Sequence, residues 1–573
     1  MELNKKQYLY YMGIPAYYSY LVKNYKKIII RLDNLNQNID YFYLDSNSII
    51  YNCLANMKGN FNNAFMDNLI KNVCLQIDNY IKEVNPKKLV YISFDGIAPV
   101  AKLKQQKERR FKSKIIEELI NDMIDEDHIK DCKEQLEKQE TFDRTSITPG
   151  TVFMNNLNQK VKEFFNNREK IYDVEKIIVS GSDERGEGEH KIFDYIRNTG
   201  TVSETHTIYG LDADLIILCL NHMNYSRNIY LFRETPEFIR NLSQDMDPGA
   251  LYVMKIEELM YYILGKMFGK DMRYEKNNVK CIKDYVFIMQ FLGNDFMPHF
   301  PSLNIRTHGI EMLLETYKNI LGKKKMYIMD NGAIVWKHVR ELVEEFSKME
   351  LDNLKREYKI RDKIELSVIK REAYENNDCS LTKEVLEKSI LNIPMKEREL
   401  EKAIDPFSYY WENRYYEKLF NTERNEENLK KICLNFIQGL EWNIIYYTEG
   451  CKDWKWKYNY CYPPLFKDLL KFIPLWEIEF IKENDRSISA VTQLAYVLPP
   501  SSLYLMPKQY QMKIIKYKHK KNDVALKWAF CRYFWEAHFE FQLEKLNEIE
   551  KMIEEVDSKV LSPHKAEGKT ILL

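Results

Sequence analysis

Seven acidic residues stand in short, well-separated motifs, most of them directly after an apolar run. They are Asp45 in YFYLDSN, Asp95 in LVYISFDG, Glu187 and Glu189 in GEGEHK, Asp212 and Asp214 in YGLDADL, and Asp295 in FLGNDF. Like charges crowded to ~4 Å repel by roughly 4 kcal/mol per pair at an effective dielectric near 20. If the fold gathers these motifs at one edge, multivalent cations make the cluster tolerable. Ligation by carboxylate oxygen alone suits magnesium or manganese rather than zinc. Two such ions form the apparatus of in-line phosphodiester hydrolysis. A single Asp after a strand is more often a turn or helix cap, but seven in matching contexts favour ligation. These seven are the expected catalytic and metal-binding residues, with two Mg2+ as cofactor and Mn2+ as substitute. His190 and His299 lie beside acids, yet hard cations prefer oxygen, so both are expected to be structural or to support the ligands from behind.

A second group follows Asp95 closely. Lys102, Gln106, Arg109 and Arg110 stand at i, i+4, i+7 and i+8, which is one stripe of a helix. Such a run is ordinarily a solvated face; its closeness to Asp95 makes a stripe overlooking the acids the stronger reading.

The elements that must position these residues are legible in the first three hundred positions. Apolar, β-branched runs at 41–44, 88–94, 176–180, 205–209 and 228–232 alternate with helical stretches. Alternation of this kind predicts a parallel sheet with helices on both faces. In open α/β sheets ligands bind outside the carboxyl ends of the strands, and Asp45, Asp95, Asp212 and Asp214 all lie just after such runs. Glu187 and Glu189 follow 176–180 across the turn GSDERGEGEH and open a helix, whose N-terminus favours nearby negative charge. Residues 310–435 read as charged and helical. An aromatic-rich stretch follows (439–464), then VTQLAYVLPPSSLYLMP (491–507), and 541–557 repeats apolar residues at helical spacing. The expected architecture is α/β: a parallel twisted sheet flanked by helices in residues 1–310, with a mostly helical second segment, 311–573, wrapped around it.

Bulk composition is compatible with these readings without selecting them. The chain has 573 residues, 45% of them hydrophobic, enough for a sizeable core. Lys+Arg and Asp+Glu both number 85, so attraction of a polyanion must come from local patches. Ten cysteines are scattered without a CxxC pair, against a zinc module or a disulfide framework and for a reducing, cytoplasmic setting, with the nucleus as alternative. No apolar run approaches the ~20 residues of a membrane span, and the start lacks a signal-peptide core.

Further stretches carry a family resemblance: MGIPAYYSYL (12–21), LDSNSIIYNC (44–53), FDGIAPVAKLKQQKERRFK (94–112), ITPGTVFM (147–154), GEGEHKIFDYIR (186–197), YGLDADLIIL (209–218) and FLGNDFMPHFP (291–301). Weaker ones lie at 411–420, 439–458 and 493–502. Together they resemble the Xrn family of 5′→3′ exoribonucleases, relatives of the flap endonucleases with a PIN-like core. The resemblance implies that the family's metal ligands fall on the same seven acids. It places a 5′-monophosphate pocket on Lys102, Gln106, Arg109 and Arg110. Tyr51 stands where the family has a base-stacking His. Trp442, Trp454 and Trp456 individually read as core before stacking platform, with one of them, Trp442 first, a candidate to cap the 5′ base. Eleven residues precede Met12, where members usually begin; the long C-terminal extensions and zinc-knuckle pattern of some members are not found. The implied activity is magnesium-dependent, processive 5′→3′ degradation of 5′-monophosphorylated single-stranded RNA to nucleoside monophosphates, in RNA decay, by a monomer. Single-stranded DNA is a further candidate substrate. Rival readings are a structure-specific flap-type endonuclease and an RNA-binding scaffold without catalysis.

Overall fold

The computed structural model describes residues 17–57, 62–126, 142–199, 202–233, 250–378, 383–519, 524–541 and 545–561. Met1, Met12 and the first residues of the 12–21 motif lie outside them. A seven-stranded sheet organises the first part: β1 (Ile29–Arg31), β2 (Tyr41–Asp45), β3 (Leu89–Ser93), β4 (Lys176–Ser180), β5 (Thr205–Tyr209), β6 (Asn228–Arg233) and β7 (Tyr252–Lys255), in the order β1-β7-β6-β5-β2-β3-β4. The five runs read from the sequence are β2 to β6, and they pair in parallel. The edge differs from expectation, because β7 and β1 add antiparallel. These strands have four and three residues, too short to show a period of two.

Alternate residues of the central strands serve opposite faces, as the pleat requires. Phe42, Leu44, Val90 and Ile92 pack under helices Asn63–Val84 and Val152–Phe165. Tyr43, Tyr91 and Ile208 pack under Gly188–Thr199, Asp214–Asn221, Ile256–Phe268 and Asn278–Met289. This second core continues through Leu313, Trp336, Phe436, Leu440, Trp442 and Phe466, so residues on both sides of position 310 share it. No helix among the described residues is long and apolar enough to cross a membrane.

Helix Val100–Glu126 carries the basic stripe, and later residues hold its start. Val100 N donates to Trp454 O (3.0 Å), Ala98 N to Gln493 Oε1 (3.0 Å), and Lys104 Nζ to Tyr460 O (2.9 Å). Ala98, Val100 and Leu103 pack against Leu494, Ala495 and Val497. The charged helices between 310 and 435 include Trp336–Asp378, of 43 residues. A buried charge cluster ties that helix to the next ones: Glu401 accepts from both Arg361 and Arg398.

The loops after β3 and β4 are laced together. Gly96 N donates to Gly186 O (2.9 Å) and Gly186 N to Ile97 O (2.8 Å). A Cβ on Gly96 would stand 1.6 Å from the Glu184 carbonyl oxygen, so only glycine permits this approach. Gly96→Ala should force the two loops apart and cost about 1–3 kcal/mol, seen as a lower urea midpoint. An unchanged midpoint would show that the lacing does not contribute to the fold.

Candidate active site

The carboxyl ends of β2, β3, β4 and β5 bring six of the seven acids to one edge. Asp45 is the last residue of β2, level with Ser93 at the end of β3. Asp95 lies two residues beyond β3 and is held on both oxygens: Gly188 N donates to Oδ1 (2.7 Å) and Asn47 Nδ2 to Oδ2 (2.5 Å). Glu187 and Glu189 come from the start of helix Gly188–Thr199. Gly188 leaves room for Asp45, since a Cβ there would stand 2.7 Å from Asp45 Oδ1. Asp212 and Asp214 follow β5, and Asp214 opens helix Asp214–Asn221. Asp295 arrives separately, after the turn Gln290–Leu292.

Lys102 stands in the middle of this cluster. Its ammonium bonds Asp295 Oδ2 (2.5 Å) and pairs with Glu187 Oε2 (2.7 Å). Gln105 Nε2 donates to the other Asp295 oxygen (2.6 Å), and the Tyr446 hydroxyl donates to Glu187 Oε1 (2.7 Å). Burial opposes the lysine charge, but Asp295, Glu187, Glu189 and Asp212 beside it hold its pKa well above the ordinary lysine range. Five of the acids, Asp45, Glu187, Glu189, Asp212 and Asp214, are displaced upward by burial and by neighbouring charges. Burial and then the charges of Asp95 and Asp212 push Asp45 well up. Burial raises Glu187 against the pull of Lys102, and it raises Glu189 and Asp214 further. Burial and the Asp295 charge carry Asp212 up to about 7.

A cleft at this edge is lined by Asp45, Asp95, Glu187, Glu189, Asp212 and Asp295 together with Tyr51, Lys102, Gln106, Arg109 and Arg110. Asp214 is not part of the lining; it is buried behind Asp212, 2% exposed. Arg110 is fixed in place: Nε and Nη2 donate to Thr148 Oγ1 (3.1 and 2.7 Å) and Nη1 to Gln106 O (2.9 Å). Thr148 lies in the 147–154 motif, whose Ile147 and Pro149 also line the cleft. Arg109 and Tyr51 are half-buried.

Trp442 is a correction. Its ring does not reach the cleft: it is 1% exposed, stacked near Tyr446 and Trp456, and its Nε1 donates to Asp453 O. Trp454 and Trp456 are buried too. An aromatic-rich stretch is equally the signature of a core, and here it belongs to the core. His190 stacks on Tyr446 with ring centroids 3.7 Å apart, and burial holds its pKa well below the usual value. His299 is likewise depressed by burial, to about 4. Five further residues of the site, Asn47, Gln105, Thr148, Gly188 and Tyr446, are not singled out by the sequence pattern. Asn47, Gln105, Thr148 and Gly188 sit inside quoted motifs; Tyr446, 259 residues from Glu187, lies in the weaker stretch 439–458, where nothing marks it out from the other aromatics.

The donor chemistry fits hard divalent cations. Every candidate ligand is a carboxylate, and Asp45 Oδ1, Glu189 Oε2 and Asp214 Oδ1 are buried without a hydrogen-bond donor. Such bare oxygens are costly unless a cation meets them. The spacing is a different matter: among the described residues no three acids are placed to share one ion, and the Lys102 ammonium lies between Glu187 and Asp295.

Comparison with known proteins agrees with this geometry. The profile described as "XRN 5'-3' exonuclease N-terminus" matches residues 12–235. The one described as "Xrn1 helical domain" matches 275–408 and 394–520. The chain belongs to the Xrn family. It is 26% identical to 5'-3' exoribonuclease 1 of Saccharomyces cerevisiae, over 87% of this chain and 40% of that protein. Identity to the 5'-3' exoribonuclease 2 homolog of Drosophila melanogaster is 26%, over 87% and 65%. With human 5'-3' exoribonuclease 1 it is 27%, over 87% and 31%. This Xrn chain therefore spans between about one third and two thirds of the length of these relatives.

The raised acids fix a pH dependence. A carboxyl at about 7 in the fold and 3.8 ordinarily binds its proton more tightly in the folded state. Its contribution is present below about pH 4 and is lost as pH rises through about 7. With EDTA present, the melting temperature of this Xrn protein should carry a downward component across that window. Asp212→Asn, which cannot ionise, should flatten it. Parallel pH profiles for the two proteins would show that Asp212 is not crowded.

Proposed function

We propose that this protein is a 5′→3′ exoribonuclease that removes nucleoside monophosphates one at a time from 5′-monophosphorylated single-stranded RNA. The observation that carries the reading is one shared cleft, lined by carboxylates at the sheet's edge and by Lys102, Gln106, Arg109 and Arg110. The names of the relatives, 5'-3' exoribonuclease, support it. In this reading Asp45, Asp95, Glu187, Glu189, Asp212, Asp214 and Asp295 hold two magnesium ions, for which manganese can substitute. Bound there, the ions supply a water of lowered pKa and charge stabilisation at the leaving 3′ oxygen. The division of labour follows chain order: residues 1–310 supply the cleft lining and 311–573 brace it.

The protein's own groups set the substrate. A terminal monophosphate has more charge and more acceptor oxygens than an internal phosphodiester. The half-buried Arg109 and the fixed Arg110 can meet it with charge-assisted bonds, each worth ~1.5–3 kcal/mol. Lys102 joins them when it leaves Glu187 and Asp295. Tyr51, in the same cleft, offers a ring to the first base, which reads no identity and gives sequence tolerance. A triphosphate or cap overfills a pocket sized for one phosphate.

A gel with labelled single-stranded RNA and magnesium tests the whole reading. Monophosphorylated RNA should release labelled mononucleotide directly from its 5′ end, while hydroxyl, triphosphate and capped ends resist. Equal rates on all four ends, or release of long fragments, would assign the cleft to a flap-type endonuclease. Arg109→Ala should erase most of the preference for monophosphate over hydroxyl rather than slow both alike.

Two substitutions test the acids and their counter-ion. Asp212→Asn should abolish magnesium-dependent cleavage while RNA still binds; substantial residual cleavage removes Asp212 from the metal site. Lys102→Met leaves Glu187 and Asp295 uncompensated, so magnesium should raise its melting temperature by more than it raises that of the parental protein. An equal or smaller increment would place the ions away from these two acids.

A further inference from the structure

A second feature lies outside the cleft, on the mostly helical segment. Between helices Glu399–Ile404 and Trp411–Phe420 the chain turns through Asp-Pro-Phe-Ser-Tyr-Tyr, 405–410. Its aromatic residues stay in water: Phe407 is 52% exposed, Tyr409 90% and Tyr410 79%. A built loop carries these rings. Arg414 threads the turn and donates to the carbonyl oxygens of Ala403, Ile404, Asp405 and Tyr409 and to Ser408 Oγ. Phe407 N donates to Asp405 Oδ1. Tyr410 adopts the left-handed region, with φ 61°, which is unfavourable for a bulky side chain and persists only where the surroundings enforce it. Large rings carried in solvent on a backbone that an arginine holds in a strained turn call for an occupant.

The chemistry of that occupant is written on the neighbouring helix, Trp336–Asp378. Phe407 packs edge-on against Tyr358 of this helix, with centroids 6.2 Å apart, and lies under the Lys355 ammonium at 5.8 Å. Next around the helix, Arg356, Lys359 and Lys363 recur at i, i+3 and i+7 and are exposed. No described carboxylate pairs with any of the three. The acids nearby are mostly committed elsewhere: Asp362 and Glu365 to Arg398, Glu365 also to Lys402, and Glu412 to Arg424 and Lys467. Asp352 is the exposed exception. A chain whose charges balance overall thus leaves three cations without a described carboxylate partner on the helix against which the loop carrying Tyr409 and Tyr410 packs through Phe407.

We propose that Tyr409 and Tyr410, with Arg356, Lys359 and Lys363, form a second binding surface for single-stranded RNA, separate from the cleft. The proposal rests on the RNA-degrading reading of the cleft for its choice of ligand. Unpaired bases stack on aromatic rings whatever their identity, and a row of cations follows the phosphates. The surface is braced to the catalytic part: Glu357 on the same helix accepts from Asn304 Nδ2 (2.6 Å) and Thr307 Oγ1 (3.2 Å), on the segment that follows Asp295. A long strand can therefore engage cleft and platform together, which adds avidity, whereas an oligonucleotide of a few residues reaches only the cleft.

The test measures fluorescence anisotropy of 5′-monophosphorylated RNAs of about 4 and about 30 nucleotides, lengths chosen so that only the longer can stack on a distant platform. Magnesium is present, and an Asp212→Asn background keeps the RNA intact. Two variants are compared: Tyr409→Ser/Tyr410→Ser and Arg356→Gln/Lys359→Gln/Lys363→Gln. Both should melt like the parent and degrade the short RNA at the parental rate when Asp212 is restored. Each should bind the long RNA about tenfold more weakly, and the triple variant should show a shallower salt dependence of that binding. Parental affinity and salt slope for the long RNA in both variants would overturn the platform. So would parental RNA binding combined with loss of a proline-rich peptide that the parent binds, which would assign the rings to a protein partner. If the protein fails to degrade RNA yet its long-RNA binding depends on these residues, the platform stands and the reading of the cleft falls.

Discussion

Six carboxylates at the ends of four parallel strands, and a seventh that follows the Gln290–Leu292 turn, create a repulsion that packing cannot remove. The Lys102 ammonium is where this fold meets it. Its position explains features that otherwise look unrelated. Gln105, one residue outside the predicted stripe, turns inward to hold the second oxygen of Asp295. Phe296 lies under the same ammonium at 5.5 Å, giving the cation an aromatic face as well as two carboxylates. One positive group still leaves bare oxygens on Asp45, Glu189 and Asp214, and the displaced pKa values of the acids record that deficit.

The basic stripe that shares the cleft depends on residues hundreds of positions away. Helix Val100–Glu126 begins on hydrogen bonds to Trp454 and Gln493 and packs on Leu494 and Val497. Tyr446 reaches back to Glu187. Because the shared core also runs through Trp336, Phe436 and Phe466, the later segment braces both the sheet and the helix that carries the basic stripe. Damage to the aromatic stretch 439–464 would therefore disturb the cleft without touching a residue that lines it. The tryptophans there do their work as core: Trp442, stacked near Trp456 and Tyr446, fixes the tyrosine that fixes Glu187.

Much of this arrangement is legible in the amino-acid sequence, for a physical reason. An apolar run ended by an acid is a local pattern, and parallel strands collect their carboxyl ends by topology. Asp45, Asp95, Asp212 and Asp214 can thus be placed together from spacing alone. The helical stripe from Lys102 to Arg110 is equally local. What escapes has no local pattern. β1 and β7 are too short to show alternation, and their antiparallel pairing depends on contacts across more than two hundred residues. The stripe places Lys102 over the acids and the family resemblance implies a phosphate for it, while its partner in the fold is Asp295, 193 residues away. Trp442 illustrates the limit from the other side, since composition cannot distinguish a ring that stacks on a base from one that stacks on Tyr446.

The two arginines of the basic stripe are neighbours in sequence but not equivalent in the fold. Arg110 is buried, its guanidinium fastened to Thr148 and the Gln106 carbonyl, and burial lowers its pKa to about 10. That leaves it charged at neutral pH and in one orientation, with few donors to spare. Arg109 lines the same cleft and stays half-buried. One guanidinium is thus fastened and enclosed while its neighbour keeps part of its surface in solvent, and Thr148 is what keeps Arg110 from swinging out to join Arg109.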